Sequence, residues 1–535
     1  MKMNFKKYMA AGFTALTLLG ACTSGFEDKN LDPNKITNDQ AYADFIIVTG
    51  FFPQLSRSVY YNFDNSNWKW QVQQNLNGDV FSGYMAPPTP FAGNANQTHY
   101  LMTWNLWPWS LAYENIMPPA ANIEKLKDEA DQRLYAASLV LKVLGMHRIT
   151  DIYGPIPYNS YGSDAVTFDA QSSIYAKFFE ELDLAIDLFE ANEGADPIPA
   201  FIPADDLFGA DFAQWKKLAA SLKLRLAMRV SEVDQALAQK MAEEAIATGV
   251  FEGQELAQVG QSTSPMINPL ATIAHGWNDI KMGADMESIL GGLKDPRLGY
   301  YFTTVGDNAG VEDGRTFAGI RSGVNLPDKA GSPYTAYSGV NPNYISQTTP
   351  VVLMTAAEVY FLRAEAALNG WNAGGSAQDL YEMGVQTSFD QHGLGDASAY
   401  LADDTSVPSD YTDPNELTGG NDYDIAAASQ VKVKYNASMA KEQILTQKWI
   451  AMFPEGMEAW AEFRRTGFPK LFPVKFNKSA GEVNEGDFIS RLAYPSQERD
   501  NNPDAYADGV ANLKSDNPAA SKGDSAGSPL WWDVD

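Results

Sequence analysis

Residues 132–158 read QRLYAASLVLKVLGMHRITDIYGPIPY. Leu134, Ala137, Leu141, Leu144 and Arg148 recur at steps of three and four, the spacing of one face of an α-helix. Val140, Val143 and Met146 fill the adjoining flank, so the pattern predicts a helix over Gln132–Ile152 that is packed on more than one side. The theme returns over Ile174–Phe189, with Phe178, Leu182, Ala185 and Leu188, and over Phe212–Val230, with Trp215, Leu218, Leu222 and Leu226. Met354–Leu368 and Glu442–Phe453 are further candidates. Three of these starts, near residues 132, 173 and 212, lie about forty residues apart, close to the ~34-residue period of tetratricopeptide solenoids. The small side chains of Ala356, Ala357, Ala364, Ala366 and Ala367 let helices approach closely. The fold expected is mostly α: tetratricopeptide-like helix pairs in a right-handed helical scaffold, with long loop-rich insertions and little β.

Between the helices lie three segments rich in Gly, Pro, Asn and Asp, at 61–109, 250–350 and 395–436. Helix connections in compact bundles run about two to eight residues. Segments this long read as irregular, and such loops tend to carry function. Lys514–Pro529 is polar and reads as mobile, whereas Trp531 and Trp532 suggest that the end of the chain docks.

The N-terminus reads as an export signal. Met1–Lys7 is basic, Tyr8–Leu19 is mostly apolar and too short to span a bilayer, and Leu19-Gly20-Ala21-Cys22 follows. Cys22 is the only cysteine, so no disulfide can form within the chain, and its thiol stands where a thioether lipid is attached. The stretch resembles a bacterial lipobox. The expected layout is a signal peptide at 1–21, a lipidated polar tether at 22–38, and a single composite domain at 39–535.

The 535 residues include 39 basic and 67 acidic ones, a formal net charge of −28. Loss of residues 1–21 removes Lys2, Lys6 and Lys7 and no acid, leaving the chain more acidic still. Such a surface repels phosphate backbones and anionic lipid alike, so nucleic acid is excluded as a partner and membrane contact falls to the lipid.

Catalytic signatures are missing. There is no G-x-S-x-G, no P-loop pattern and no nucleophilic cysteine to pair with a base. No carboxylate pair is marked out by its surroundings as a glycosidase couple. His147 and Asp151 share one helix face, but no third ligand stands at metal-binding spacing, and a hydrogen-bonded helix end is the plainer reading. No metal site or cofactor is therefore assigned. A structural calcium ion is conceivable only in the Asp-rich loops at Asp403-Asp404 or Asp413–Asp424, against the alternative of solvated loops.

What the composition does favour is a sugar site, where flat rings meet sugar C–H faces and short amides and carboxylates meet hydroxyls. Five of the twelve tryptophans fall between 68 and 109, interleaved with Asn, Gln and Asp. Trp68, Asp79, Tyr84, Asn94, Asn96, Tyr100 and Trp104 are candidate ligand residues there. Trp107 and Trp109 lean toward the core. Trp277 and Asn278, in His275-Gly276-Trp277-Asn278-Asp279, form a second candidate, since a ring in an irregular segment has no helix to pack on. Tyr300, Tyr301, Tyr334 and Tyr337 are weaker ones.

Five motifs now stand in order: NLDPNKIT (30–37); QNLNGD (74–79) with Gly83-Tyr84 and 94–109; MHRITDIYGPIPY (146–158); AAEVYFLRAEA (356–366); and WIAM (449–452) with Trp460–Arg465 and RLAYP (491–495). Together they resemble the SusD/RagB family of nutrient-binding outer-membrane lipoproteins. The resemblance implies a helical body with a loop-built binding face and no enzymatic activity. It also implies a cell-surface position, marked by Glu27 and Asp28 after the cysteine. Docking on a SusC-like TonB-dependent transporter is implied too, with an oligosaccharide, or for some members a peptide, as cargo.

Overall fold

Asp131 starts the first long helix: its carboxylate accepts the N–H of Arg133 and its backbone is extended. A cap of this kind contributes about 1 kcal/mol. The helix, α1 (Gln132–Tyr153), stops at Gly154, whose φ of +84° suits glycine. Asp211 caps α3 (Phe212–Arg229) and Asp234 caps α4 (Gln235–Thr248) in the same way. Thr355 caps α5 (Ala356–Leu368), and Ser376 caps α6 (Ala377–Gln391). α2 (Gln171–Ala191) lies between α1 and α3, and α7 (Ala440–Ala451) and α8 (Gly456–Thr466) follow α6.

This computed structural model describes residues 45–534 except 92–96, 261–265, 306–314, 328–335 and 415–422. The proposed signal, Cys22, the tether, Asn94, Asn96 and Tyr334 lie outside the described residues. Val48–Asp535 packs as one unit. Within it the helices associate as α1 with α2, α3 with α4, and α5 with α6, and successive pairs meet through α2–α3 and α3–α5. The body is mostly helical and tetratricopeptide-like, as expected. Strand is confined, among the described residues, to two short antiparallel ladders: β1 (Met85–Ala86) with β3 (Lys281–Met282), and β2 (Leu256–Val259) with β4 (Val351–Thr355). No described helix is long and apolar enough to cross a membrane.

Close packing rests on small residues at chosen points. A Cβ at Gly384 of α6 would lie 2.8 Å from the ring of Phe361 on α5. Where the pairs converge the core is not apolar. Arg225 makes a bidentate pair with Glu358 at 2.7 Å, and Arg465 bonds both Glu365 and Glu462 at 2.7–2.8 Å. Arg229 bonds Glu458, and Lys448 reaches Glu462 at 2.9 Å. The guanidinium and ammonium neighbours hold Glu458 and Glu462 ionised, well below the ordinary carboxyl range, against the pull of burial. Buried ions are costly unless each is paired, so the network ties α3, α5, α7 and α8 together through matched charges and is weak evidence of net stability.

Four expectations need correction. The segments 61–109 and 250–350 are not irregular throughout. The first holds a helix at Asn67–Trp70 running into a π-helix at Gln71–Asp79, and the helix Leu106–Asn115 begins inside it. The second holds β2, β3, short helices at Pro269–Ala271 and Arg297–Tyr301, and π-helices at Thr272–Trp277 and Glu287–Gly291. Met354 sits on β4, and Lys514 belongs to a helix at Pro503–Asp516. Trp532 does dock: it is fully buried, its indole N–H donating to Asp151 at 2.9 Å. Beside it, Arg491 donates to the Tyr153 carbonyl at 2.7 and 3.0 Å, and Leu492 to that of Ile152 at 2.9 Å.

Candidate functional site

The turn after Tyr61 is pinned by a salt bridge. Lys69 Nζ donates to Asp64 at 2.6 Å and to the Tyr61 hydroxyl at 3.1 Å, while Ser66 N–H donates to the other Asp64 oxygen. The Lys69 ammonium and the Ser66 N–H hold the Asp64 carboxyl below its usual range despite some burial, and the paired Lys69 is raised in turn. Held this way, the turn turns Phe63 and Trp68 outward, 39% and 42% exposed. These are large rings that the fold could have covered and did not.

Trp107, at the start of helix Leu106–Asn115, meets Trp68 edge to face at 4.8 Å. Its N–H donates to the Trp104 carbonyl at 3.1 Å. Trp104 itself has a left-handed backbone, φ +65°, and its half-buried ring meets Phe91 at 5.8 Å. The π-helix Thr272–Trp277 packs against Asn67–Trp70, and Gln71 Nε2 donates to Asp279 at 3.4 Å. Two stretches two hundred residues apart are thereby joined, with Trp68 and Trp107 in ring contact on one of them and Trp277 at the end of the other.

Trp277 is half-buried at the end of a π-helix, so the expectation of a helix-free loop around it was wrong. Asn278, φ +57°, is the left-handed residue that ends this helix, a turn position that asparagine tolerates well.

Three candidates are core residues. Asp79 is fully buried and accepts from Gln74 at 2.9 Å and Asn75 at 2.8 Å; burial raises its carboxyl to about 7. Gly456 of α8 presses against it, where a Cβ would come within 2.3 Å of the carboxylate. The amides of QNLNGD thus satisfy the polar groups of a buried π-helix and are not available to a ligand. Tyr84 is fully buried too, its hydroxyl donating to the Trp449 carbonyl and its ring on Trp449 and Phe453 at 4.9 and 5.3 Å. Tyr100 is 5% exposed and lines a cavity of only about 20 Å³, room for a single water.

The remaining rings divide the same way. Trp109, Tyr301 and Tyr337 are buried, and Tyr300 is half-buried against Tyr344 and His392. His147 and Asp151 are buried; Asp151 accepts from the Tyr175 hydroxyl at 2.6 Å and from Trp532, a hydrogen-bonded helix end. Asp403 accepts N–H groups of Thr405 and Ser406, which hold its carboxyl well below the usual range, and Asp413 N–H donates to Asp424. Among the described residues no three His, Cys, Asp or Glu side chains gather into a metal-binding group. A cavity of about 60 Å³ under Trp70 and Tyr60 fits a few waters and no sugar.

Sequence reasoning overlooked Phe63. The available signal was the Asp64-Asn65-Ser66 turn directly after it, with Lys69 five residues from Asp64 to lock it.

The family model described as "SusD-like: Susd and RagB outer membrane lipoprotein" matches residues 28–533. Among solved structures, a chitin-binding SusD homologue from Flavobacterium johnsoniae is 38% identical, with a TM-score of 0.83 over 91% of this chain and 99% of that one. A SusD homologue from Bacteroides vulgatus is 37% identical, TM-score 0.82, covering 92% and 98%. One from Bacteroides thetaiotaomicron is 33% identical, TM-score 0.82, covering 91% and 99%. No curated protein matches.

Proposed function

The chain belongs to the SusD-like family of outer-membrane lipoproteins, and from that premise we propose that it captures a neutral oligosaccharide at the cell surface and hands it to a TonB-dependent transporter. It is a binding protein, as its family is, and not an enzyme. The observation that carries the sugar reading is the Trp68–Trp107 pair, with Trp68 42% exposed on the turn pinned by the Asp64–Lys69 bridge. Uncovered flat rings of this kind gain most from the C–H face of a pyranose, which stacks without needing a counter-charge. The relative from Flavobacterium johnsoniae binds chitin, so chitin oligosaccharides are the first ligands to try. On this reading Cys22 carries the lipid and the polar stretch 22–38 gives the body reach from the membrane. Residues 39–535 then act as a single composite domain.

The test is titration of the soluble chain from residue 23 with chitohexaose by calorimetry. Saturable binding without new reducing ends supports the proposal. New reducing ends would point to a glycosidase. Binding only to peptides, with steep salt dependence, would replace the sugar with a peptide. Labelled palmitate tests the anchor: incorporation into a Cys22→Ala chain would overturn it.

A further inference from the structure

A second hollow, of about 380 Å³, opens between the end of α8, the loop 483–490 and the last residues of the chain. Its volume falls within the ~300–1,000 Å³ usual for small-ligand sites. Arg464, 7% exposed, forms part of its lining. Nη1 donates to the carbonyls of Asp151 at 2.6 Å and Ser490 at 2.7 Å, and Nε to that of Trp460 at 3.3 Å. The guanidinium lies over the Trp460 ring, 3.7 Å from its centre. None of these hydrogen bonds uses Nη2, and Arg464 forms no ion pair among the described residues, in contrast to Arg225, Arg229 and Arg465. Burial without such a pair draws the guanidinium down to about 9, although Asp151 and Asp533 pull the other way.

The rest of the lining is of mixed kind. Asp533 is buried and Asp487 exposed, the latter accepting from Asn484 at 2.7 Å. Phe488 supplies an aromatic wall, half-buried and propped edge to face on Phe463 at 4.7 Å. A carboxylate ligand would suit Arg464 but would meet Asp487 and Asp533; an ammonium ligand would meet the reverse conflict. A sugar hydroxyl accepts and donates at once, so adjacent hydroxyls match a donor-only guanidinium beside acceptor-only carboxylates. A pyranose also offers a C–H face to Phe488.

We propose that this hollow is a second, separate site for one neutral sugar residue, held between Arg464, Asp487 and the ring of Phe488. It uses none of the tryptophans of the first site and goes beyond the function proposed above. The test keeps the two apart by using the chain from residue 23 carrying Trp68→Ala and Trp107→Ala. Saturation-transfer NMR is run with D-glucose, D-galactose, N-acetyl-D-glucosamine and D-glucuronate as probes. At least one neutral sugar is expected to bind saturably, and Asp487→Ala and Phe488→Ala are each expected to weaken it about fivefold or more. Asp487 is exposed, so its variant keeps the test valid if Phe488→Ala melts early. Silence from all three neutral sugars overturns the proposal, as does binding of glucuronate alone. So does affinity unchanged in Asp487→Ala at wild-type melting temperature.

Discussion

Replacing Trp68 by alanine removes the more exposed ring of the tryptophan pair with the least damage beneath it. Of roughly 250 Å² on a tryptophan, the 42% exposed fraction leaves about 100 Å² open. A pyranose lying flat covers about half of that, and ~50 Å² at ~25 cal/mol per Å² is about 1.3 kcal/mol. Ring-specific attraction adds ~0.5–1 kcal/mol, for a total near 2 kcal/mol. Trp68→Ala is therefore expected to raise Kd for chitohexaose about 10- to 30-fold. Calorimetric titration reads it, with circular dichroism and melting to confirm that the fold survives loss of the ring's contacts with Trp107 and Lys69. Raising salt from about 50 to about 500 mM should move Kd less than about twofold, since a neutral sugar brings no charge to screen. A Kd within twofold of wild type in a variant that melts normally would refute the stacking argument. A steep salt dependence would refute the neutral ligand.

Three further outcomes concern the scaffold. Burial lifts the Asp79 carboxyl from 3.8 to about 7, so the folded chain keeps a proton that the unfolded chain releases. The contribution of Asp79 to stability therefore falls as pH rises through that window and is level above it. Urea unfolding at several pH values should show wild type losing ground to Asp79→Asn between those limits; the opposite trend would refute the assignment. Arg465→Leu strands the buried Glu365, while Glu462 keeps Lys448 and Arg229, and should cost about 3–5 kcal/mol in the same assay. Gly384→Ala should cost about 1–3 kcal/mol, because its methyl meets the Phe361 ring at 2.8 Å, even though alanine favours a helix.

Helices whose burial follows a three- and four-residue period were legible. Gln132–Tyr153 and Phe212–Arg229 fall within two residues of the expected limits. Gln235–Thr248 and Ala377–Gln391 were not seen, because each buries a narrow stripe against its partner and shows polar residues elsewhere. The π-helix at Gln71–Asp79 was read as a ligand loop for a physical reason. Asn, Gln and Asp satisfy buried backbone groups with the same chemistry that grips a sugar hydroxyl, and only burial separates the two uses. Trp68 and Tyr84 illustrate the same limit for rings: both fall in one aromatic, asparagine-rich stretch, yet one stands open and the other is sealed under α7 and Phe453. The packing of Asn67–Trp70 against Thr272–Trp277 joins distant segments, which no local pattern encodes.

The seam where residues 490–533 close over the end of α1 bears on how the chain reaches its native state. Several partners of Asp151, Ile152 and Tyr153 lie more than three hundred residues further along, the indole of Trp532 being 381 positions away, whereas the Tyr175 hydroxyl on Asp151 is a near one. Loop-closure entropy rises only slowly with length, about 0.6 kcal/mol per doubling, so the finished seam loses little at equilibrium. Contacts of such long sequence separation slow folding, and before they form the carbonyls of Ile152 and Tyr153 lack the donors that Leu492 and Arg491 bring. A chain lacking Trp532 leaves the Asp151 carboxylate with the Tyr175 hydroxyl and without the indole donor.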